Sequence, residues 1–353
     1  MTTKIRLTQV MLASGNGGAE TFFEKLAVAF QRAGIQQTLV IQPHAAREEK
    51  LRALGCDVRV IPSKGWRKHI ARWQVARVVR ETGSNIVLGW MSRGAAAVPH
   101  MRGVVKLARV GGYYKGKYFR RFDRVVVNAP QLIDYLAEAG VARDKLELIP
   151  NFADSLAMCD NSAAVVPELF GAGESHFVAA SIGRLHKVKG HDVAIRLVAR
   201  IPQLYLLIAG EGSERAALEA LAVELGVAGR VRFLGWYREM GRVFAAADVI
   251  LFPTRSEPFG NVVVEAWRER VPIISSDIEG PGWLIDHQIN GLLCGKDNIN
   301  EFEQALRQLM DSAELRGQLV AEGYKKLEQS FSTEAVVAAY RQLFADSLKE
   351  VSS

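Results

Sequence analysis

The feature that most constrains this chain is an alternation that runs, stops and starts again. In the first 150 residues short aliphatic runs (IRLTQVML, QTLVIQ, VRVIP, NIVLGW, VVKLARV, DRVVVNA) alternate with longer amphipathic ones (TFFEKLAVAFQRAG, WRKHIARWQVARVVRE, QLIDYLAEAG). Short apolar runs that are buried on both faces, separated by helical segments, predict a parallel sheet covered by helices on both sides. The polar, breaker-rich stretch PNFADSLAMCDNSAAVVPELFGAGES reads as a linker. The pattern then restarts with HFVAASIGR, HDVAIRLVARIP, YLLIAG, ERAALEALAVELGV, VRFLGW, DVILFPT, VVVEAWRER, PIISSDI and GLLCG. The fold class is therefore α/β, with two Rossmann-like doubly wound domains at residues 1–152 and 175–332. Ligands of such sheets bind outside the carboxyl ends of the strands, so the two domains are expected to face each other across a cleft. The closing segment STEAVVAAYRQLFADSLKE, residues 333–350 in its helical part, has no strand after it and is expected to pack back on the first domain.

Charge divides the same way. Residues 1–150 hold 25 Lys and Arg against 11 Asp and Glu, whereas residues 151–353 hold 20 against 27. One half is built for an anionic partner and the other is not. Cys56, Cys159 and Cys294 are odd in number and scattered, which suggests neither a disulfide framework nor a zinc site and fits a reducing cytoplasm. No run approaches the roughly 18 apolar residues of a spanning helix, so the chain is not expected to cross a membrane.

Four glycine-punctuated loops follow predicted strands. SGNGGAE (14–20) offers Gly15, Gly17 and Gly18 at a helix start, where backbone N–H groups meet an anion or simply turn tightly. IGRLHKVKGHD (182–192) places Arg184 and Lys189 at a strand mouth, where two cations suit a diphosphate or form a solvated basic loop. AGEGSER (209–215) gives Gly210, Glu211 and Gly212 room beside a flat ligand, or else a helix start with Ser213 as its cap. In RSEPFGNVVVEAW (255–267) the helix is expected to begin near Asn261. Glu257 then lies in the loop, and Glu265 one turn inside the helix. The two carboxylates do not share a helical face; they address different parts of one long ligand.

Glu257 and Glu265 match the E-x7-E signature of retaining GT-B glycosyltransferases, the large fourth family of nucleotide-sugar-dependent enzymes. The stretch AAADVILFPTRSEPFGNVVVEAWRERVPIISSD resembles that family's donor-site core. GRLHKVKG and AGEGSER resemble its upstream motifs in order, and SGNGGAE its first-domain glycine loop. The overall likeness is to enzymes of bacterial lipopolysaccharide and surface-glycan assembly. The resemblance implies a hexosyltransferase with a nucleotide-diphosphate sugar as donor. Arg184 and Lys189 would bind the diphosphate, with the backbone of Gly17 and Gly18 approaching it or the sugar. Glu257 would hold the sugar hydroxyls, helped by the backbone of Phe259, Gly260 and Asn261. Glu265 would take the ribose, and Gly210, Glu211 and Gly212 would line the nucleoside pocket. The catalytic group is thus Arg184, Lys189 and Glu257. No Asp-x-Asp occurs, so the metal-dependent GT-A alternative lacks its ligands, and neither an essential metal nor a cofactor is expected. Many members carry a His after the strand matching VVKLARV; here Gly111 and Gly112 stand in that place. Tyr113, Tyr114 and Lys115 become the candidates there, and the nearest His, His100, is expected in a helix.

Two segments concentrate the positive charge. KGWRKHIARWQVARVVR (64–80) has six Lys and Arg and no acid. As a helix it puts Ala71, Val75, Val78 and Val79 on one face, with Trp66, Ile70 and Trp73 on the opposite one. KLARVGGYYKGKYFRRFDR (106–124) interleaves seven Lys and Arg with Tyr and Phe. Ordinary packing of aromatics in a basic domain accounts for both; so does an anionic membrane surface on which a lipid-linked glycan acceptor is displayed. No nucleic-acid-binding signature is present. The expectation is a peripheral enzyme on the cytoplasmic face of the inner membrane, handling a glycan or glycolipid acceptor. The alternatives are a non-catalytic nucleotide-sugar-binding scaffold, or a GT-B epimerase or phosphorylase.

Overall fold

The computed structural model describes residues 4–15, 17–63, 65–153, 176–237 and 239–352. The chain divides into two compact units, Met1–Asn151 with Thr333–Ser353, and Phe152–Ser332. Cys159 and the linker stretch past Ala153 lie outside the described residues.

The first unit is built on strands β1 (Arg6–Met11), β2 (Gln36–Ile41), β3 (Asp57–Val60), β4 (Ile86–Trp90), β5 (Val105–Val110), β6 (Arg124–Val127) and β7 (Leu146–Leu148). They pair in parallel in the order β3-β2-β1-β4-β5-β6-β7. Its crossovers carry α1 (Gly18–Arg32), α2 (Ala45–Ala53), α3 (Lys68–Thr82), α4 (Met91–Ala97) and α5 (Gln131–Glu138). Every residue of β4 is buried, as a strand covered on both faces requires.

In the second unit β8 (Phe177–Ile182), β9 (Leu204–Ala209), β10 (Val231–Gly235), β11 (Val249–Phe252), β12 (Ile273–Ser276) and β13 (Leu292–Cys294) pair in parallel as β10-β9-β8-β11-β12-β13. The helices are α6 (His191–Arg200), α7 (Arg215–Glu224), α8 (Met240–Ala246), α9 (Asn261–Arg268), α10 (Glu279–Leu284), α11 (Ile299–Asp311) and α12 (Ala313–Ser330). The last helix, α13 (Thr333–Ser352), belongs to the first unit. Its fully buried Tyr340 and Phe344 meet the Phe30 ring of α1 edge-on at 5.2 and 5.8 Å.

Both sheets are Rossmann-like, and both reverse direction of winding next to their first strand, between β1 and β4 and between β8 and β11. Those are the points where an open α/β sheet forms its ligand crevice. Several elements escaped the sequence pattern. Helices α4 and α10 are short and rich in Gly, Ala or Pro, α2 is mostly polar, and β7 spans three residues. His100, expected in a helix, lies in irregular chain after α4 has ended at Ala97.

Candidate functional site

Three of the four glycine loops follow β8, β9 and β11 and are locked together by their main chains. Gly190 has φ +68°, and a Cβ there would stand 1.9 Å from the carbonyl oxygen of Pro253. On Gly210, φ +153°, it would stand 1.9 Å from the carbonyl oxygen of Gly183, and on Gly212 2.2 Å from that of Leu185. Only glycine lets backbones approach this closely. The loop after β11 is tied to the loop after β8 through one acceptor, since the Thr254 hydroxyl (2.9 Å) and the Arg255 N–H (2.7 Å) both donate to the carbonyl of Val188. Arg255 then forks onto both oxygens of Asp192, at 2.9 and 2.7 Å, and reaches Asp297 at 2.7 Å. Its guanidinium is held above its ordinary pKa, first by the bond to Asp192.

This framework positions Lys189 and Glu257. The Lys189 stem runs 3.6 Å from where a Gly183 Cβ would be, and its ammonium lies 5.6 Å from the centre of the Phe252 ring. Its Nζ donates to Oε2 of Glu257, an ion pair that is about four-fifths buried on both sides. The pair spans the β8 and β11 loops at the winding reversal, so the structure brings these two predicted residues together directly. Arg184, on the same loop as Lys189, is exposed, and among the described residues no carboxylate pairs with it.

Helix α9 begins at Asn261 as expected. Its cap is Gly260 at φ +104°, a glycine with no side chain to make a cap bond. Phe259 is buried beneath, Glu257 and Phe259 carbonyls pack against Gly280, and Gly280 N–H donates to Glu257 O at 3.1 Å. Glu265 is half-buried in the second turn of α9, on a different element from Glu257. The loop after β9 differs from expectation. Helix α7 is capped by Glu214 rather than Ser213, with no side-chain bond, and Glu211 makes an ion pair with Arg215. Main chain of the loop after β8 occupies the direction in which a Cβ on Gly210 or Gly212 would project.

Two residues of this region were not anticipated. His191 opens α6 and is buried, its Nδ1 2.9 Å from the Ser181 hydroxyl, and burial pushes its pKa down to about 4, so the ring stays neutral at physiological pH. Trp236 stands 68% exposed just past β10, beside Gly235, whose carbonyl accepts from Gly210 N–H at 2.9 Å. A bulky aromatic after an apolar strand and a glycine was the available signal.

In the first unit Gly17 caps α1 with ordinary φ −83°, and Gly17 and Gly18 are exposed. The buried Glu20 carboxylate lies beneath this loop, 3.0 Å from where a Cβ on Gly15 or Gly17 would be. The helix N-terminus therefore already has an anion in its first turn. Arg47 of α2 fastens the loop from below, donating to Gly15 O at 2.8 Å and to Glu24 at 2.8 Å. Tyr114, after β5, is half-buried, and its hydroxyl pKa is raised by burial and then by the Glu20 charge, which places it beside the same loop. Tyr113 is 46% exposed and packs edge-on to Tyr135 at 5.0 Å; Lys115 is exposed. Phe119 and Phe122 are fully buried, so ordinary packing accounts for those aromatics. On α3 the aliphatic face is buried as expected, while Ile70 and Trp73 are 38% and 62% exposed. Trp66 falls in the turn Gly65–Arg67, and its side chain lies outside the described residues.

Set against known proteins, the chain matches the family described as Glycosyltransferase Family 4 over residues 16–155 and that described as Glycosyl transferases group 1 over residues 169–326. It is 34% identical to the lipopolysaccharide core biosynthesis glycosyltransferase LpsE of Rhizobium meliloti, covering 94% of this chain and 96% of that one. LpsD of the same organism, described in the same words, is 32% identical over 93% and 95%. Among solved structures, Anabaena Alr3699/HepE in complex with UDP and glucose shares the fold at a TM-score of 0.81 and 19% identity, covering 98% of this chain and all of that one.

Proposed function

The chain belongs to the group 1, family 4 glycosyltransferases of GT-B fold, and from that premise we propose that it moves a hexose, with retention at the anomeric carbon, from a nucleotide diphosphate to a lipid-linked glycan of the lipopolysaccharide core. The observation that carries the reading is the Lys189–Glu257 pair at the β8/β11 reversal. A carboxylate there accepts from sugar hydroxyls, and a cation beside it stabilises the charge that grows on the departing diphosphate. Arg184 supplies a second, exposed cation for the same phosphates. The glycine-capped start of α9 serves the sugar together with Glu257, and Glu265 takes the ribose. Trp236 offers a face to the base. Gly17 and Gly18, sitting over Glu20, present N–H groups better suited to a neutral hydroxyl than to a second anion. The departing phosphate takes the acceptor proton on the same face, which gives retention. This division of labour asks for no essential metal.

In the absence of donor the Lys189 ammonium is neutralised by Glu257, so a diphosphate has to draw it across. Donor binding thereby releases the carboxylate for the sugar. The acceptor reading follows the relatives' described role and the basic first unit; no described helix is long and apolar enough to cross a membrane, and the exposed Ile70 and Trp73 on basic α3 suit peripheral attachment to an anionic leaflet.

The test is a thermal-shift panel of UDP-, GDP-, ADP- and CDP-sugars followed by turnover with a lipopolysaccharide-core acceptor fragment. One nucleotide class is expected to stabilise the protein, and nucleotide diphosphate is expected to appear only with acceptor, yielding a product of the donor's anomeric configuration. An inverted product defeats retention, and no nucleotide response defeats the donor reading.

A further inference from the structure

The first sheet reverses its winding between β1 and β4, and its carboxyl end holds a cavity of about 630 Å³ whose described lining residues all belong to the first unit. That volume is within the range of small-molecule sites. The polar groups that line it include Ser14 from the loop after β1, Ser63 after β3, Ser92 and Arg93 from α4, and Tyr118. No carboxylate is among the described residues lining it; Glu20 is turned under the glycine loop.

The segment that delivers Ser92 and Arg93 is unusual. Strand β4 passes into α4 through Met91 at φ +53°, a left-handed conformation that costs a non-glycine residue about 1 kcal/mol or more. Helix α4 is then pressed against β1 so closely that a Cβ on Gly94 would stand 2.1 Å from the Val10 carbonyl oxygen. A strained turn and an obligatory glycine hold Ser92 and Arg93 at the mouth of the crevice. Neither is needed merely to join a strand to a helix.

The wall of the cavity formed by Ala96 and Ala97 is also cationic. Arg121 donates to the carbonyls of Ala95 at 2.6 Å and Val98 at 3.0 Å, and Arg72 donates to that of Ala96 at 3.0 Å. The two guanidinium groups converge on one short helix end. Burial, and after it the nearby charge of Arg72, pull the Arg121 pKa down. With Arg93 exposed on the same helix and no described acid paired with any of the three, the positive potential is left for a ligand.

We infer that this cavity is an acceptor subsite that recognises an anionic substituent, phosphate or carboxylate, on a sugar ring. Arg93 binds the anion, Ser14, Ser92 and Tyr118 bind ring hydroxyls, and Arg72 and Arg121 raise the potential from behind. The inference rests on the reading of the chain as a transferase with a glycan acceptor, but its test needs no turnover.

Binding of glucose 6-phosphate, glucuronate and glucose to the full chain, without donor, is measured by calorimetry at low and high salt. At low salt one or both anionic sugars are expected to bind at least about tenfold more tightly than glucose, about 1.4 kcal/mol. Which anion wins names the source. Salt is expected to erase most of the preference. Arg93→Gln brings the anionic sugars down to the level of glucose, and Arg93→Lys restores part of the preference. Equal binding of all three sugars, or an unchanged preference in Arg93→Gln, overturns the subsite. Nucleotide-sugar thermal shifts read the other unit, so a protein that prefers anionic sugars yet ignores every nucleotide would defeat the donor reading and leave this one standing.

Discussion

A Cβ on Gly190, Gly210 or Gly212 would stand 1.9–2.2 Å from a main-chain carbonyl oxygen, whereas one on Gly15 or Gly17 would meet only the Glu20 carboxylate, at 3.0 Å. The loops at the carboxyl ends of the two sheets thus look alike in sequence and are built differently. In the second unit glycine is a requirement of backbone packing, and the packed backbone sets the Lys189–Glu257 pair in place. In the first unit the glycine loop is open, closed from below by Glu20 and Arg47, and the residues proposed to meet the acceptor are spread over α3, α4 and the loop after β5. On the proposed reading, a donor whose diphosphate, ribose and sugar are always present rewards the rigid cradle of the second unit, and the acceptor is met by replaceable side chains of the first.

The largest expected effect separates charge from binding in the rigid site. Glu257→Gln replaces the carboxylate proposed to hold the sugar hydroxyls by a neutral amide, a weaker acceptor with only one accepting oxygen, and is expected to lower turnover about 100- to 1,000-fold. The same change releases Lys189, so nucleotide diphosphate without sugar is expected to bind at least as tightly as before. Turnover and calorimetry on the same preparation decide it. If the variant loses nucleotide affinity in step with turnover, the pair is an architectural clamp and not a donor-gated one.

The second prediction tests the glycines themselves. Gly190→Ala combines a positive φ with a contact to main chain that cannot move aside, and is expected to destabilise the protein by about 3 kcal/mol. Gly17→Ala has φ −83° and faces only a side chain, and is expected to cost under about 1 kcal/mol. Denaturant unfolding of each unit's transition measures both. Equal costs would mean that the two loops are equally tight and that the contrast drawn above is false.

The same contrast explains what the sequence disclosed. The alternation of aliphatic and amphipathic runs gave the two parallel sheets, and α9 was legible to its first residue because Pro258, Gly260 and the run VVVEAW mark a break followed by a buried helical face. Lys189 and Glu257 were legible because their loops carry glycines that the fold cannot replace. Their mutual ion pair was not, since it joins residues 68 positions apart across three crossovers. Helix α4 was missed because seven residues of Met, Ser, Arg, Gly and Ala show no amphipathic period, and with it went Ser92 and Arg93. Ser213 was offered as the alternative reading, a cap, because a serine near a helix start is often one, but a main-chain bond to the β8 loop sets the chain's path: Glu214 N–H donates to Leu185 O at 3.1 Å.

The smallest expected effect concerns the exposed face of α3. Trp73 is 62% exposed and Ile70 38%, while Ala71, Val75 and Val79 on the opposite face are buried in the unit. The helix is thus committed on one side and available on the other. Its exposed residues include Arg72, Arg77 and Arg80, so attachment to an anionic bilayer would combine a few buried apolar groups with a salt-sensitive attraction. Trp73→Ser is expected to weaken partition onto vesicles containing anionic lipid about fivefold, close to 1 kcal/mol, and to leave turnover on a soluble acceptor fragment unchanged. Sedimentation with anionic and neutral vesicles at low and high salt reads it. Partition that ignores both lipid charge and the substitution would remove α3 from the membrane and return its tryptophan to the ordinary exposed surface. A fall in soluble turnover would instead bring α3 into the acceptor site, whose cavity its Ala71 already lines.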